Sequence, residues 1–252
     1  MNMRSLLILS LALLTEGAGA NEPVILSTVA QVGSAPKYIE STKEARGLCP
    51  DILRAIEEVE MGLRFRIDPT PTPIKRIEFD LEKGKLDVVC ALLDTPFRNE
   101  ISYRISTPLF NVRERLIGRN DEVLQIHSYK ELADTGELVS TQAGASYANM
   151  LRSHGVRVDE SAGGTPGAFR LLLNKRTRFF YINELTGAYY IKTEGLSDKL
   201  RLMPGTLSES PSYLWASRKL DPMIIQRLNG AVLKLYKNGT LNKIYQNYLN
   251  EL

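Results

Sequence analysis

Gly84-Lys85-Leu86-Asp87-Val88-Val89-Cys90-Ala91-Leu92-Leu93-Asp94-Thr95-Pro96-Phe97-Arg98 decides how this chain is read. Gly84 marks a turn, Leu86 to Ala91 form an apolar run of strand length, and Asp94 to Arg98 read as a polar loop ending in an arginine. A short apolar run bounded by turn signals fits a strand buried on both faces. Open α/β sheets bind ligands beyond the carboxyl ends of such strands. An arginine there presents a planar fork of donors suited to a carboxylate. Taken alone, the same residue also reads as a surface arginine in a loop.

Working outward, the pattern repeats. Val24 to Val32 is a strand, broken by Gly33-Ser34-Ala35-Pro36. Gly47, Pro50 and Asp51 open a helix with Ile52, Leu53, Ile56 and Val59 at helical spacing. Leu63 to Ile67 is a second strand, Pro69, Pro71 and Pro73 a stiff loop, and Ile74 to Leu81 a second helix. Strands alternating with helices at this spacing predict a parallel α/β sheet. From Leu109 onward the alternation starts again, with strands at 109–117, 138–141, 156–158 and 179–182 and helices at 128–132, 147–154, 165–173 and 185–192. Two similar lobes are expected, closed by helices from Asp221 and from Leu241.

Residues 1–20 read as a cleavable signal peptide. Arg4 gives the positive start, Leu6 to Leu14 the apolar core, and Ala18-Gly19-Ala20 the cleavage site. The run is too short to span a bilayer, so an exported chain beginning near Asn21 is expected. A formal net charge of +3 over 252 residues is only mildly basic. With no aromatic–basic ladder, nothing points to nucleic acid. The clusters Arg113, Arg115, Arg119 and Lys175, Arg176, Arg178 read as solvated faces. His127 and His154 lack partners at metal-ligand spacing, so neither a metal nor a cofactor is expected. Two cysteines in an oxidising compartment favour a Cys49–Cys90 disulfide over two buried free thiols, both lying at the ligand end of one sheet.

The order of these features resembles the extracellular solute-binding proteins of family 3, the polar amino-acid branch that feeds ABC transporters. The resemblance rests on Gly84-Lys85-Leu86-Asp87, Thr95-Pro96-Phe97-Arg98, Pro108-Leu109-Phe110, Gly144-Ala145-Ser146 and Lys237-Asn238-Gly239-Thr240-Leu241. It covers nearly all of the chain after position 20. It implies a two-lobe α/β periplasmic-binding fold with two hinge crossovers, lobe I at 21–110 and 206–252 and lobe II at 111–205. It implies a monomeric periplasmic protein that captures a small carboxylate-bearing ligand, such as an amino acid, by cleft closure for an inner-membrane ABC permease. A sensor subunit using the same cleft is the alternative. A dehydratase acting on cyclohexadienyl acids, with Asp94 or Glu184 as the acid, ranks below both, and no enzyme is expected.

By this resemblance Arg98 carries the ligand carboxylate, and Thr95 caps the loop or donates its hydroxyl. Backbone near Leu93 and Thr95, and Ala145 with Ser146 at a helix start, add donors. Ser146 alone reads as a plain N-cap. Family members place an aspartate after the last strand of lobe II to hold the ligand ammonium. Here Asn183 stands there, followed by Glu184, which either substitutes or begins the next helix. Leu93 replaces a small hydroxyl residue, Asp94 is an additional carboxylate, and Tyr38 stands in for an aromatic lid. The carboxylate grip is therefore kept and α-amino recognition is not assured.

Overall fold

The computed structural model describes residues 22–39, 44–142 and 146–250. The expected signal peptide and Ala145 lie outside the described residues, as does the side chain of Ser146. Along the chain run β1 (Val24–Gln31), α1 (Leu48–Val59), β2 (Leu63–Thr72), α2 (Ile74–Glu82), β3 (Val88–Leu93), α3 (Pro96–Ile101), β4 (Ser102–Arg104) and β5 (Phe110–Arg119). They are followed by α4 (Tyr129–Asp134), β6 (Leu138–Ser140), α5 (Ser146–Ser153), β7 (Arg157–Asp159), α6 (Thr165–Leu173), β8 (Phe179–Asn183) and α7 (Glu184–Thr193). The chain closes with β9 (Leu200–Ser217), α8 (Pro222–Lys237) and α9 (Thr240–Asn250).

The expected parallel pairing holds for β1 with β2 and for β6 with β7 and β8. The remainder is antiparallel: β9 returns beside β3, β4 and β5, and β5 also pairs with β8. β9 spans 18 residues and includes Pro204, Gly205 and Pro211. Its ladder with β5 runs from Phe110 opposite Ser212 to Arg119 opposite Leu200, with register shifts around Arg115. This ribbon is the double connection between the lobes. Pro69 and Pro71 lie inside β2 rather than in a loop. β2 pairs only with β1 among the described residues, so the missing N–H groups break no ladder.

Asp87, in the Gly-Lys-x-Asp signature, stitches β3 to β1. Its Oδ2 accepts from the amide and the hydroxyl of Ser27, both at 2.7 Å, and its own amide donates to the Ser27 carbonyl at 3.0 Å. Its role in the fold is structural.

Alternation along the strands builds the cores. Val88 and Cys90 join Leu48, Ile52, Ile56, Leu228 and Val232 on one face of lobe I, while Val89 and Leu92 meet Ile77, Leu81 and Trp215 on the other. In β8, Phe179 and Tyr181 face one cluster of lobe II and Phe180 and Ile182 face the other. Each such side chain contributes about 1.5–3 kcal/mol of burial. Cys49 in α1 and Cys90 in β3 form a disulfide, with Cα atoms 5.9 Å apart.

Candidate functional site

The polar loop expected after β3 is a short helix, α3. Thr95 is its N-cap: its hydroxyl accepts from the Arg98 amide at 3.2 Å, and Pro96 occupies the first turn. This cap turns Arg98 back toward the strand end. The Arg98 Nε donates to Glu78 Oε1 at 3.0 Å and Nη1 to the Leu93 carbonyl at 2.7 Å. Of the five N–H donors of a guanidinium, these two are engaged among the described residues. Glu78, on α2, is buried and, together with the Leu93 carbonyl, fixes the plane of the fork.

Arg98 lines a cleft of about 440 Å³ between the two lobes. Leu93, Thr95, Asn183 and Glu184 line it too, so five of the expected ligand residues come together. Two do not. Tyr38 is buried within the lobe I core beside Leu48 and Cys49 and is not among the lining residues. Asp94 is outside the lining as well, ion-paired with Arg104 and accepting from Asn99 Nδ2 at 2.5 Å.

On the opposite wall, the Asn183 side-chain oxygen caps α7 by accepting from the Thr186 amide at 2.9 Å. Glu184 has a side chain only 2% exposed and is held on several sides. Arg115 Nη1 donates to its Oε2 at 3.2 Å, Arg113 Nη1 lies 3.5 Å from Oε1, and the Tyr245 hydroxyl donates to Oε1 at 3.3 Å. Burial and this carboxylate push the Tyr245 phenol upward in pKa. Arg113 and Arg115 are thus an i, i+2 pair on one face of β5 serving a buried carboxylate, not a solvated cluster.

One residue that the sequence reading passed over lines this cleft and is half-buried. Lys37 Nζ donates to Gln31 Oε1 at 2.5 Å and to the Ala91 carbonyl at 3.3 Å. Burial, then the nearby Arg98 charge, lowers its pKa from 10.5 to about 7. The amides of Leu48 and Cys49 at the start of α1 donate to the carbonyls of Pro36 and Lys37, each at 3.0 Å. Gly47 makes this approach possible: a Cβ there would lie 2.5 Å from the Pro36 oxygen, and its φ of 122° suits only glycine. The faint signal was a lysine in a strand-to-helix connection at the ligand end of the sheet.

The family model for bacterial extracellular solute-binding proteins, family 3, matches residues 28–251. The chain belongs to this family. Its members are solute-binding proteins, and the two-lobe cleft is where the fold presents a ligand site. The L-cystine-binding protein TcyA of Bacillus subtilis (strain 168) is 23% identical over 225 residues, covering 89% of this chain and 81% of that protein. The probable amino-acid ABC transporter extracellular-binding protein ytmK of Bacillus subtilis superimposes with a TM-score of 0.78 at 13% identity, over 90% of this chain and 98% of that one. The GluR0 ligand-binding core in complex with L-glutamate superimposes with a TM-score of 0.74 at 17% identity, over 90% and 98%. The family thus shares this chain's two-lobe architecture with amino-acid-binding proteins.

Proposed function

We propose that this chain captures a small carboxylate-bearing solute between its lobes and delivers it to an ABC permease of the inner membrane. The observation that carries this reading is Arg98, held in plane by Glu78 and Leu93 with donors left over, in a cleft of about 440 Å³. Such a volume suits a ligand of amino-acid size. The relative named for L-cystine binding and the amino-acid-binding architecture support the same class. The protein works in the periplasm as a monomer, after removal of residues 1–20. Its lobes divide at the β5–β9 ribbon, 21–110 with 206–252 against 111–205, and closure bends that ribbon over the ligand. By the family resemblance, Ala145 and Ser146 add donors from lobe II, as do Leu93 and Thr95 from lobe I.

The arrangement of carboxylates favours binding over turnover. A catalytic acid needs a proton to give, whereas Asp94 is paired with Arg104 and Glu184 with Arg113 and Arg115. A screen of amino acids and organic acids by thermal shift identifies the ligand, since binding to the folded state raises Tm. Arg98→Ala is expected to lower affinity for that ligand by about 100-fold or more, the loss typical of removing one partner of a desolvated charge pair. Isothermal titration measures it. Affinity within threefold of the parent would remove Arg98 from the carboxylate role.

A further inference from the structure

Four cationic side chains, Lys37, Lys75, Arg98 and Arg113, line the cleft against two carboxylates, Glu78 and Glu184. Glu78 is paired with Arg98, and Glu184 with Arg113 and Arg115. Lys75 is exposed at the rim, its Nζ 6.0 Å from the centre of the Phe97 ring. Lys37 is half-buried, and its partners among the described residues are two neutral oxygens, those of Gln31 and Ala91. A half-buried ammonium with no counter-ion among the described residues costs the fold free energy. The wall is nevertheless shaped around it. The amides of Leu48 and Cys49 hold the Pro36–Lys37 backbone, and Gly47 lets them approach. Ala91 takes a left-handed φ of 58° where the β3–β9 register shifts, at the point where its carbonyl meets Lys37. Such a φ is uncommon for a residue with a Cβ, and bulges of this kind re-aim groups beside binding sites.

We propose that Lys37 forms a second anion subsite in the cleft, so that the ligand carries two acidic groups, one held by Arg98 and the other by Lys37. This deepens the proposed function and rests on it. The ligand class is then a short dicarboxylate or an equivalent dianion. An α-amino group is dispensable, because Asn183 and Glu184 are already engaged within the protein. The charged groups that share the cleft lining with Lys37 are Arg98, Glu78 and Lys75 from lobe I and Arg113 and Glu184 from the opposite wall, and Arg98 acts on it directly. A second acidic group of the ligand supplies the missing counter-charge and restores the lysine proton. Since free Lys37 titrates near about 7, affinity should hold steady below that pH and fall as pH rises above it.

The test compares succinate and glutarate with butyrate and valerate, and adds L-glutamate, by isothermal titration of the parent protein and of Lys37→Met and Arg98→Ala. At a pH of about 6, each dicarboxylate should bind at least about 10-fold tighter than the monocarboxylate of equal length, a gain of roughly one ion pair. Glutarate should bind at least as tightly as L-glutamate. Lys37→Met should bring the dicarboxylates down to the level of the monocarboxylates. At a pH of about 8, titration in buffers of different ionisation enthalpy should show uptake of roughly 0.9 proton per dicarboxylate bound to the parent. That measurement uses no variant. Equal affinity for both acid classes, unchanged dicarboxylate binding in Lys37→Met, or no proton uptake overturns the second subsite. If monocarboxylates then bind and Arg98→Ala abolishes that binding, the carboxylate reading stands and only the subsite falls. If no acid in the panel binds, both fall.

Discussion

The two walls of the cleft use the same chemical parts in opposite ways. On the lobe I wall an arginine is oriented by one buried carboxylate, and it keeps donors for a ligand. On the lobe II wall a buried carboxylate is surrounded by two arginines and a tyrosine, and its oxygens are occupied. Arg98 has a side chain 16% exposed and Glu184 one of 2%, so the first can still be approached and the second cannot. Which group carries the charge matters less than which group keeps a hydrogen-bonding direction open. Among the described residues the cleft consequently presents positive charge without an available negative counterpart, and the proposal that it takes anions rather than zwitterions rests on this.

The contrast can be broken in three ways, from the largest expected effect to the smallest. The disulfide between Cys49 and Cys90 lies under the Arg98 wall, and lobe II has no counterpart among the described residues. Replacing both cysteines by alanine should cost roughly 4 kcal/mol, from the loop-closure entropy of 41 residues of separation. Urea unfolding should show it, and a loss below about 1 kcal/mol would make the two lobes equally dependent on packing. Glu184→Gln comes next. It leaves Arg113 and Arg115 facing a neutral group, so stability should fall by about 3 kcal/mol while ligand affinity changes little. A variant of parental stability that has lost the ligand would reverse the reading of that wall.

Lys37→Met is the finest probe. Folded Lys37 gives up its proton near pH 7, whereas the unfolded chain keeps it to about 10.5. The penalty of the buried charge is therefore complete below pH 7 and lifts as pH rises from 7 toward 10.5. The variant should be more stable than the parent at low pH, with the margin shrinking across that interval. Melts along a pH series check the slope, and a constant margin would mean Lys37 does not titrate there.

Much of lobe I was legible because its signals are local. Thr95-Pro96 is a cap followed by a first-turn proline, and it placed Arg98, although the helix that it starts, Pro96–Ile101, is too short to show a helical period. β9 was the main omission. Pro204, Gly205 and Pro211 break any local strand pattern, and the pairing that overrides them comes from β5, far away in sequence. The same distance hid the function of Arg113 and Arg115. Their alternate spacing along β5 put both on one side, but only the ribbon and α7 bring Glu184 to them. Lys37 had only its place in a strand-to-helix connection to mark it. Its importance comes from burial beside Arg98, which adjacent residues do not encode.

The prolines of β2 have a consequence for how these molecules tolerate crowding. The outer margin of that strand has no partner among the described residues, and bare strand margins invite other chains to add on. Pro69 and Pro71 leave gaps in the row of amide donors, and Arg64 and Arg66 stand exposed on the same strand. A second molecule approaching there meets missing hydrogen bonds and like charge. That margin of the sheet is guarded against strand addition by its own composition.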